Sequence, residues 1–206
     1  MEVLHYQKAI DILRKVFGPE HTEVRSVYHA MGMMHMEMEE HDEAIEAFRK
    51  CLDIKLKTLR PWHPDLIGSH VNIASASFLK KDYTQSLEHN RKILEIRLKI
   101  RGPEHPEVAE SYHAVASILS FQKEYDEAID LYQKSLAIRL KALGSEHVQV
   151  GHSYKNLGMA HRNIKEEAKA LEYFPKALAI FQKALGPQHP ETLGTQNMLN
   201  QLKANV

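Results

Sequence analysis

The feature that most constrains the fold is a histidine that recurs every 42 residues. These histidines belong to short motifs of the form G-P-x-H-P, such as GPEHP at 102–106 and GPQHP at 186–190. The interval has no insertion or deletion, so each unit must stack on the next in one geometry. The pattern therefore predicts a linear repeat array. The histidines of this row are His21, His63, His105, His147 and His189.

Each unit is predicted to contain two amphipathic helices. In the third unit, apolar residues recur at helical spacing over 106–121 and again over 126–143, with a break near 123–125. Gly144 follows the second helix, where a residue free to adopt positive φ commonly ends a helix. The second proline of the motif suits the first turn of the next helix. The histidines are interpreted as linker residues rather than metal ligands, because equivalent loops lie one repeat apart.

The units form one predicted array with half a unit at each end. Residues 6–18 match a second helix alone, and the last segment matches a first helix alone. One interpretation is a fragment of a longer array. The predicted divisions are 1–20, 21–62, 63–104, 105–146, 147–188 and 189–206.

The other interpretation of the half units is self-association. The first helix of one molecule would dock on the last helix of another, and so complete both half units. This hypothesis requires apolar side chains that lie partly uncovered in the first helix. The residues predicted for this role are Leu4, Ile10, Leu13 and Phe17.

The segments at 112–136 and 154–178 resemble the tetratricopeptide repeat. Small residues recur in the first helix at Gly32, Ala74, Ala116 and Gly158, where they let two helices approach closely. The 42-residue period and the G-P-x-H-P linker look like the kinesin light chain type of this repeat. The resemblance implies an all-α fold, a right-handed superhelical solenoid of antiparallel helix pairs. It also implies a scaffold for protein–protein interaction.

The stretch 31–41 contains five methionines and two histidines, which are soft metal ligands. Alignment with the other repeats distributes these side chains around a helix, so they do not converge on a copper ion. Met31 and Met34 share rows with aliphatic core residues and are predicted to fill the core. Met33 and Met36 fall in rows that line the concave groove of tetratricopeptide arrays.

The resemblance implies that an extended peptide lies in the groove formed by first helices. In kinesin light chain-like repeats, paired asparagines hold the peptide backbone, because a carboxamide both donates and accepts. Only Asn72, Asn156 and Asn197 retain an amide at the matching positions; for the first two, hydrogen bonding between helices is an open alternative. Inward packing is the alternative for Phe78 and Phe121. The predicted peptide-binding residues are Met33, Met36, Val71, Asn72, Phe78, His113, Phe121, Lys155, Asn156, Met159 and Arg162.

The groove rows are apolar in the first half of the chain and basic in the last repeat. This gradient fits an extended ligand with apolar anchors and one acidic end. The 27 basic residues balance the 27 acidic ones, which argues against nucleic acid or a membrane as a partner. No apolar run reaches the ~18 residues of a membrane span, and the chain start has no signal-peptide pattern. We expect a cytoplasmic protein.

The sequence contains no motif for catalysis, for a metal or for a cofactor. Its one cysteine, Cys51, shares a row with Ile93 and Ala177 and is interpreted as a packing residue. The predicted function is therefore non-enzymatic: a scaffold that binds an extended segment of a partner protein. The alternatives are a self-associating assembly module and a regulatory array of a larger signalling protein.

Overall fold

The computed structural model describes residues 2–204, with side chains described from residue 4 onward. The described residues form ten α-helices and no strand, so the prediction of an all-α fold is confirmed. The helices are α1 (Glu2–Phe17), α2 (Thr22–Glu37), α3 (His41–Leu56), α4 (Leu66–Leu79), α5 (Tyr83–Arg101), α6 (Pro106–Phe121), α7 (Tyr125–Leu143), α8 (Val148–Asn163), α9 (Glu167–Leu185) and α10 (Pro190–Ala204).

The helices group into two compact units, unit 1 (residues 1–100) and unit 2 (residues 101–206). Within unit 1, Ser77 near the end of α4 bonds Gln85 near the start of α5, whereas His70 near the start of α4 meets His89 further along α5. These contacts show that the two helices of a repeat run antiparallel. The expectation of one array over the whole chain stays a prediction.

Four of the five linker histidines cap a first helix, and His63 makes the same bond to Asp65 just before α4. The first N–H groups of a helix have no partner within it, so a preceding side chain must accept from them. Each linker histidine accepts through Nδ1 from the backbone N–H two residues ahead, at 3.2 to 3.3 Å. Interpretation as linker residues was thus incomplete, because the imidazole also serves as a cap. The sequence signal for this capping role was the position of the histidine row just before the first helices.

Glycine ends the second helices, except at one linker. Gly18, Gly102, Gly144 and Gly186 have φ between 81° and 92°, a conformation that a β-carbon disfavours. Arg60 occupies the equivalent position and does not have positive φ. Accordingly α3 ends at Leu56 rather than at the equivalent Leu59, and α4 begins late, at Leu66.

A lysine near the end of each second helix contacts the preceding linker. Lys57 pairs with Glu20 in unit 1 at 2.7 Å, and in unit 2 Lys141 pairs with Glu104 in the same way. Trp62 takes the place of the glutamate in the linker with Arg60, and Lys99 Nζ lies 4.7 Å from its ring centroid. Thus a cation–π contact replaces the ion pair, and Trp62 covers the neighbouring lysine stem.

The small residues of the first helices accommodate aromatic rings of the second. A β-carbon at Gly32 would lie 2.4 Å from the Phe48 ring, and one at Gly158 would lie 2.8 Å from the Phe174 ring. Both phenylalanines are almost completely buried. The close helix approach predicted from the sequence is confirmed at these positions.

The first helix α1 packs on the repeat that follows it. Ile10 is completely buried with Val24 and Ile54, and Leu13 packs half-buried against the same cluster. The prediction that Ile10 is partly uncovered is wrong, because it considered only the missing preceding helix. Leu4 and Phe17 are more than half exposed, and the ring of Phe17 stacks on the linker histidine that follows it.

The glycine contact makes a testable prediction about stability. Gly158→Ala places a methyl group against Phe174, and we expect this to lower the free energy of unfolding by about 1–2 kcal/mol, since overpacking outweighs the gain in helix propensity. Gly194→Ala is the matched control, because that helical glycine in α10 faces open space. It should raise stability by about 0.5–1 kcal/mol. Urea unfolding measures the change in the free energy of unfolding for each variant. Changes of the same sign in the two variants would contradict the close-approach argument.

Candidate functional site

The first helices of unit 2 are joined by a pair of polar side chains. Asn156 of α8 meets His113 of α6, with 2.7 Å between Asn156 Nδ2 and His113 Nε2. Burial, helped by the nearby charges of Arg139, His152 and Lys155, lowers the pKa of His113 to about 4. The ring is therefore neutral at pH 7, so the amide N–H donates to Nε2. Asn156 therefore makes a hydrogen bond between helices, which was the alternative to its predicted role in holding a peptide.

Lys155, one of the two basic residues predicted at the end of the groove, is neutralised within the chain. Lys155 Nζ donates to Glu191 of α10, and the pair is largely shielded from solvent. The hydrogen bond from Lys155 holds the pKa of Glu191 below its ordinary value. The expectation of a basic surface for an acidic ligand end therefore needs correction, because the ammonium already has a carboxylate partner.

Apolar side chains lie beside this polar pair in unit 2. Phe121 at the end of α6 is 55% exposed. Met159 is half-buried against the core cluster that contains Phe174, so it contributes to packing as well as to the surface. Arg162 is also half-buried. We call the following set the first-helix surface of unit 2: His113, Phe121, Lys155, Asn156, Met159 and Arg162.

The equivalent residues of unit 1 are mainly apolar. Met33 of α2 and Val71 of α4 are 44% and 42% exposed. Asn72 is half-buried, Met36 packs against a core cluster, and the ring of Phe78 lies 5.5 Å from that of Tyr83. We call the following set the first-helix surface of unit 1: Met33, Met36, Val71, Asn72 and Phe78.

A family comparison identifies the fold. A profile described as tetratricopeptide repeat matches residues 5–57, 65–141 and 115–174, which is most of the chain. The chain belongs to the tetratricopeptide repeat family. Members of this family act as scaffolds for protein–protein interaction, and the two units of this protein carry its paired helices. No curated protein sequence matches the chain.

A solved structure of kinesin light chain-like repeats supports the more specific resemblance, and two more distant structures share the fold. The kinesin light chain nearly identical TPR-like repeats of Podosopora anserina share 28% identity at a TM-score of 0.73, covering 91% of this chain and 88% of that one. BtubC (BKLC) from P. vanneervenii matches at 15% identity and a TM-score of 0.63, covering 98% and 90%. Apo RapI matches at 21% identity and a TM-score of 0.74, covering 88% of this chain and 63% of that one. The resemblance to kinesin light chain-like repeats is thereby confirmed.

The methionine-rich stretch of this tetratricopeptide repeat protein divides between core and surface. Met34 is buried, and Met31 packs against the cluster around Ile10. Met33 and Met38 are exposed. Within residues 4–204, no group of three or more His, Cys, Asp or Glu side chains is placed to hold a metal ion.

Cys51 lies in the helix-packing row predicted for it. The side chain is 3% exposed, and burial raises the pKa of its thiol. A protonated buried thiol is a poor nucleophile. None of the described helices combines the length and apolar character required to cross a membrane.

Unit 1 contains a histidine pair that the sequence patterns did not predict, with His70 buried and His89 half-buried. Nδ1 of His70 and Nδ1 of His89 lie 2.8 Å apart, so one ring donates and the other accepts. Burial lowers the pKa of both to about 4; the positive charge of Arg49 adds to this for His89, and that of Lys92 for His70. The other full repeats have tyrosine at the position of His70, so this departure was visible in the alignment of repeats.

The histidine pair predicts a pH dependence of stability. Unfolding restores a pKa near 6.5, so the pair stabilises the fold fully above pH 6.5 and this contribution is lost as the pH falls toward 4. At pH 5 the loss reaches at most about 2 kcal/mol per histidine. The double variant His70→Tyr/His89→Leu copies other repeats, as in Tyr112 and Leu131. Its melting temperature should fall less between pH 7 and pH 5 than that of the wild type; equal losses would contradict the assignment.

Proposed function

We propose that the chain is a non-enzymatic scaffold that binds an extended segment of a partner protein on its first-helix surfaces. The observation that carries the proposal is the exposed ring of Phe121 on the same helix as His113, which holds the carboxamide of Asn156. An exposed aromatic anchor beside an ordered amide suits recognition of a side chain and a backbone together. The pair is fixed before binding, so little ordering of the receptor opposes association.

The spacing of these groups restricts the ligand. Phe121 follows His113 by eight residues, which corresponds to about 12 Å along α6. An extended peptide rises about 3.3 Å per residue, so about four residues separate the two contacts. Since Lys155 is already paired with Glu191, we expect selection for an apolar or aromatic anchor rather than for an acidic end. The exposed Met33 and Val71 offer similar apolar contacts in unit 1.

A peptide selection tests the proposed surface. Peptides selected from a random display library against the intact chain should share one apolar anchor, and Phe121→Ala should weaken their binding roughly tenfold or more. Asn156→Ala should weaken it less, since it removes an amide contact. Leu143→Ala is the control, because this exposed apolar residue lies on the second helix α7. Titration by fluorescence anisotropy measures each affinity. Binding that survives both surface variants, or is lost in the control, would refute the proposal.

Self-association is a second candidate, supported by one row of isoleucines in unit 1. Ile12 of α1 is 61% exposed, whereas Ile54 and Ile96 at the same repeat position are 9% and 2% exposed. Val16, one turn further along, is 65% exposed. Together with Leu4 and Phe17 they are exposed apolar residues of α1, whereas Ile10 is buried and Leu13 half-buried.

The partner favoured for this face is a second copy of α1. Docking on α10 requires a close approach at Asn200, which occupies the row of Gly158 and accepts a hydrogen bond from Gln196 at 2.9 Å. The larger polar side chain opposes that approach. Pairing of α1 with α1 gives a closed two-fold dimer instead.

Sedimentation velocity tests the dimer. The wild-type sedimentation coefficient should rise with concentration, and Ile12→Lys should abolish the rise by placing a charge in the contact. Leu56→Lys, at another exposed apolar residue of unit 1, should leave it unchanged. A wild type that stays monomeric at all concentrations rules the dimer out.

Some expectations from the sequence stay predictions. These are the cytoplasmic location, the lack of nucleic-acid, membrane and cofactor partners, and the role in a larger signalling protein.

A further inference from the structure

Unit 1 contains a small cavity away from its first-helix surface. Its volume is about 190 Å³. Cavities of about 150 Å³ hold a benzene molecule, so one aromatic ring fits in this space. The cavity is formed by α1, α2 and α3. Side chains that line it include Gln7, Tyr28, Met31, His35, Ala47 and Lys50.

The equivalent position in unit 2, three repeats later, is filled by a tyrosine of the chain itself. Tyr173 of α9 occupies the row of Ala47. Its ring stacks on His161, with centroids 5.4 Å apart and planes at 12°. It also stacks on Tyr154, with centroids 6.1 Å apart and planes at 26°. Lys176 Nζ lies over both tyrosine rings, at 5.6 and 5.7 Å.

The side chains that hold the ring of Tyr173 have counterparts around the cavity. Tyr28 and His35 correspond to Tyr154 and His161, and Lys50 corresponds to Lys176. Lys50 Nζ lies 5.7 Å from the centroid of Tyr28, the same distance that separates Lys176 from Tyr154.

The hydrogen bonds that orient these groups are conserved between the two sites. His35 Nδ1 meets Glu40 at 2.6 Å, and His161 Nδ1 meets Glu166 at 2.7 Å. Lys50 and Lys176 each donate at 2.6 Å to the glutamate one turn earlier in their helices. The cavity therefore has the walls of an aromatic site and lacks only its ring.

We propose that this cavity binds the side chain of a tyrosine from an extended segment of a partner protein. The volume suits a phenol ring, so the rest of the ligand lies outside the cavity. The ring would lie against Tyr28 and His35 and below the ammonium of Lys50, where stacking and cation–π attraction act together.

Charges at the rim define the class of tyrosine. Glu43 and Glu46 line the cavity, and Glu43 occupies the position where unit 2 has Lys169. Glu46 is paired with Lys50, so the carboxylate of Glu43 supplies the negative charge that repels an anionic ligand. The site is therefore selective for an unmodified tyrosine, with neutral or basic residues beside it, over phosphotyrosine. This site differs from the proposed peptide surface in every residue, so the two proposals fail independently.

Binding of 4-methylphenol, the side chain of tyrosine, tests the cavity. In the intact protein it should shift the NMR signals of His35, Met31 and Ala47 in a saturable way, with a dissociation constant on the order of 1 mM. Ala47→Tyr should abolish the shifts, because the new ring fills the space as Tyr173 does in unit 2. Ala47→Leu, which copies Leu131, provides the same block with a smaller side chain. Shifts that persist in a folded filled variant, or no saturable shifts in the wild type, overturn the proposal.

The tyrosine of unit 2 offers the reciprocal test. Tyr173→Ala should open an equivalent cavity, and 4-methylphenol should then raise its melting temperature more than that of the wild type. Absence of this effect would overturn the use of unit 2 as the template.

A peptide with one tyrosine between lysines should compete with 4-methylphenol for the cavity, whereas its phosphotyrosine form should bind at least tenfold more weakly. Failure of the first peptide, or equal binding of both, would overturn the assignment to a partner's unmodified tyrosine.

Discussion

The close approach of the two helices within a repeat is the contact on which the other features depend. It brings a small residue of the first helix against a ring of the second at Gly158 with Phe174 and at Gly32 with Phe48, whereas one repeat has Asn90 in the ring position. Because the small residues recur at one interval, each helix pair has a similar geometry and presents equivalent rows to solvent. The surface side chains inherit their positions from this contact: α6 and α8 both pack on α7, and His113 of α6 reaches Asn156 of α8.

Equivalent rows also show how one substitution changes a local contact without changing the fold. A linker glutamate replaced by Trp62 turns an ion pair into a cation–π contact with Lys99. A tyrosine replaced by His70 turns an aromatic row into a hydrogen-bonded pair with His89. Ala47 stands where other repeats have a larger residue, and a cavity lies beside it. Each repeat is thus a reference for the others, and departures from the common pattern mark the positions where specific chemistry is concentrated.

Sequence patterns predicted the helices well because amphipathic spacing and glycine ends are local properties. The α6 range was predicted residue for residue, whereas the break predicted near 123–125 lies at 122–124, because α7 begins at Tyr125. Contacts between repeats were harder to predict. Ile10 is buried by the helices that follow it, and Lys155 is neutralised by Glu191, a residue of the next repeat. Both outcomes depend on side-chain direction across a helix interface, which spacing alone does not provide. The linker histidines were found as a row, but their role required the orientation of Nδ1.

That orientation determines which nitrogen of each linker histidine carries the proton. An imidazole that accepts through Nδ1 must keep this nitrogen unprotonated, since an imidazolium has only donors. The same cap begins α2, α6, α8 and α10, and a related bond precedes α4. Each of these rings therefore carries its proton on Nε2, the nitrogen that the cap does not use. Chemical identity among repeats, which gives the chain its regular stacking, thus also places the same Nε2 donor at every linker.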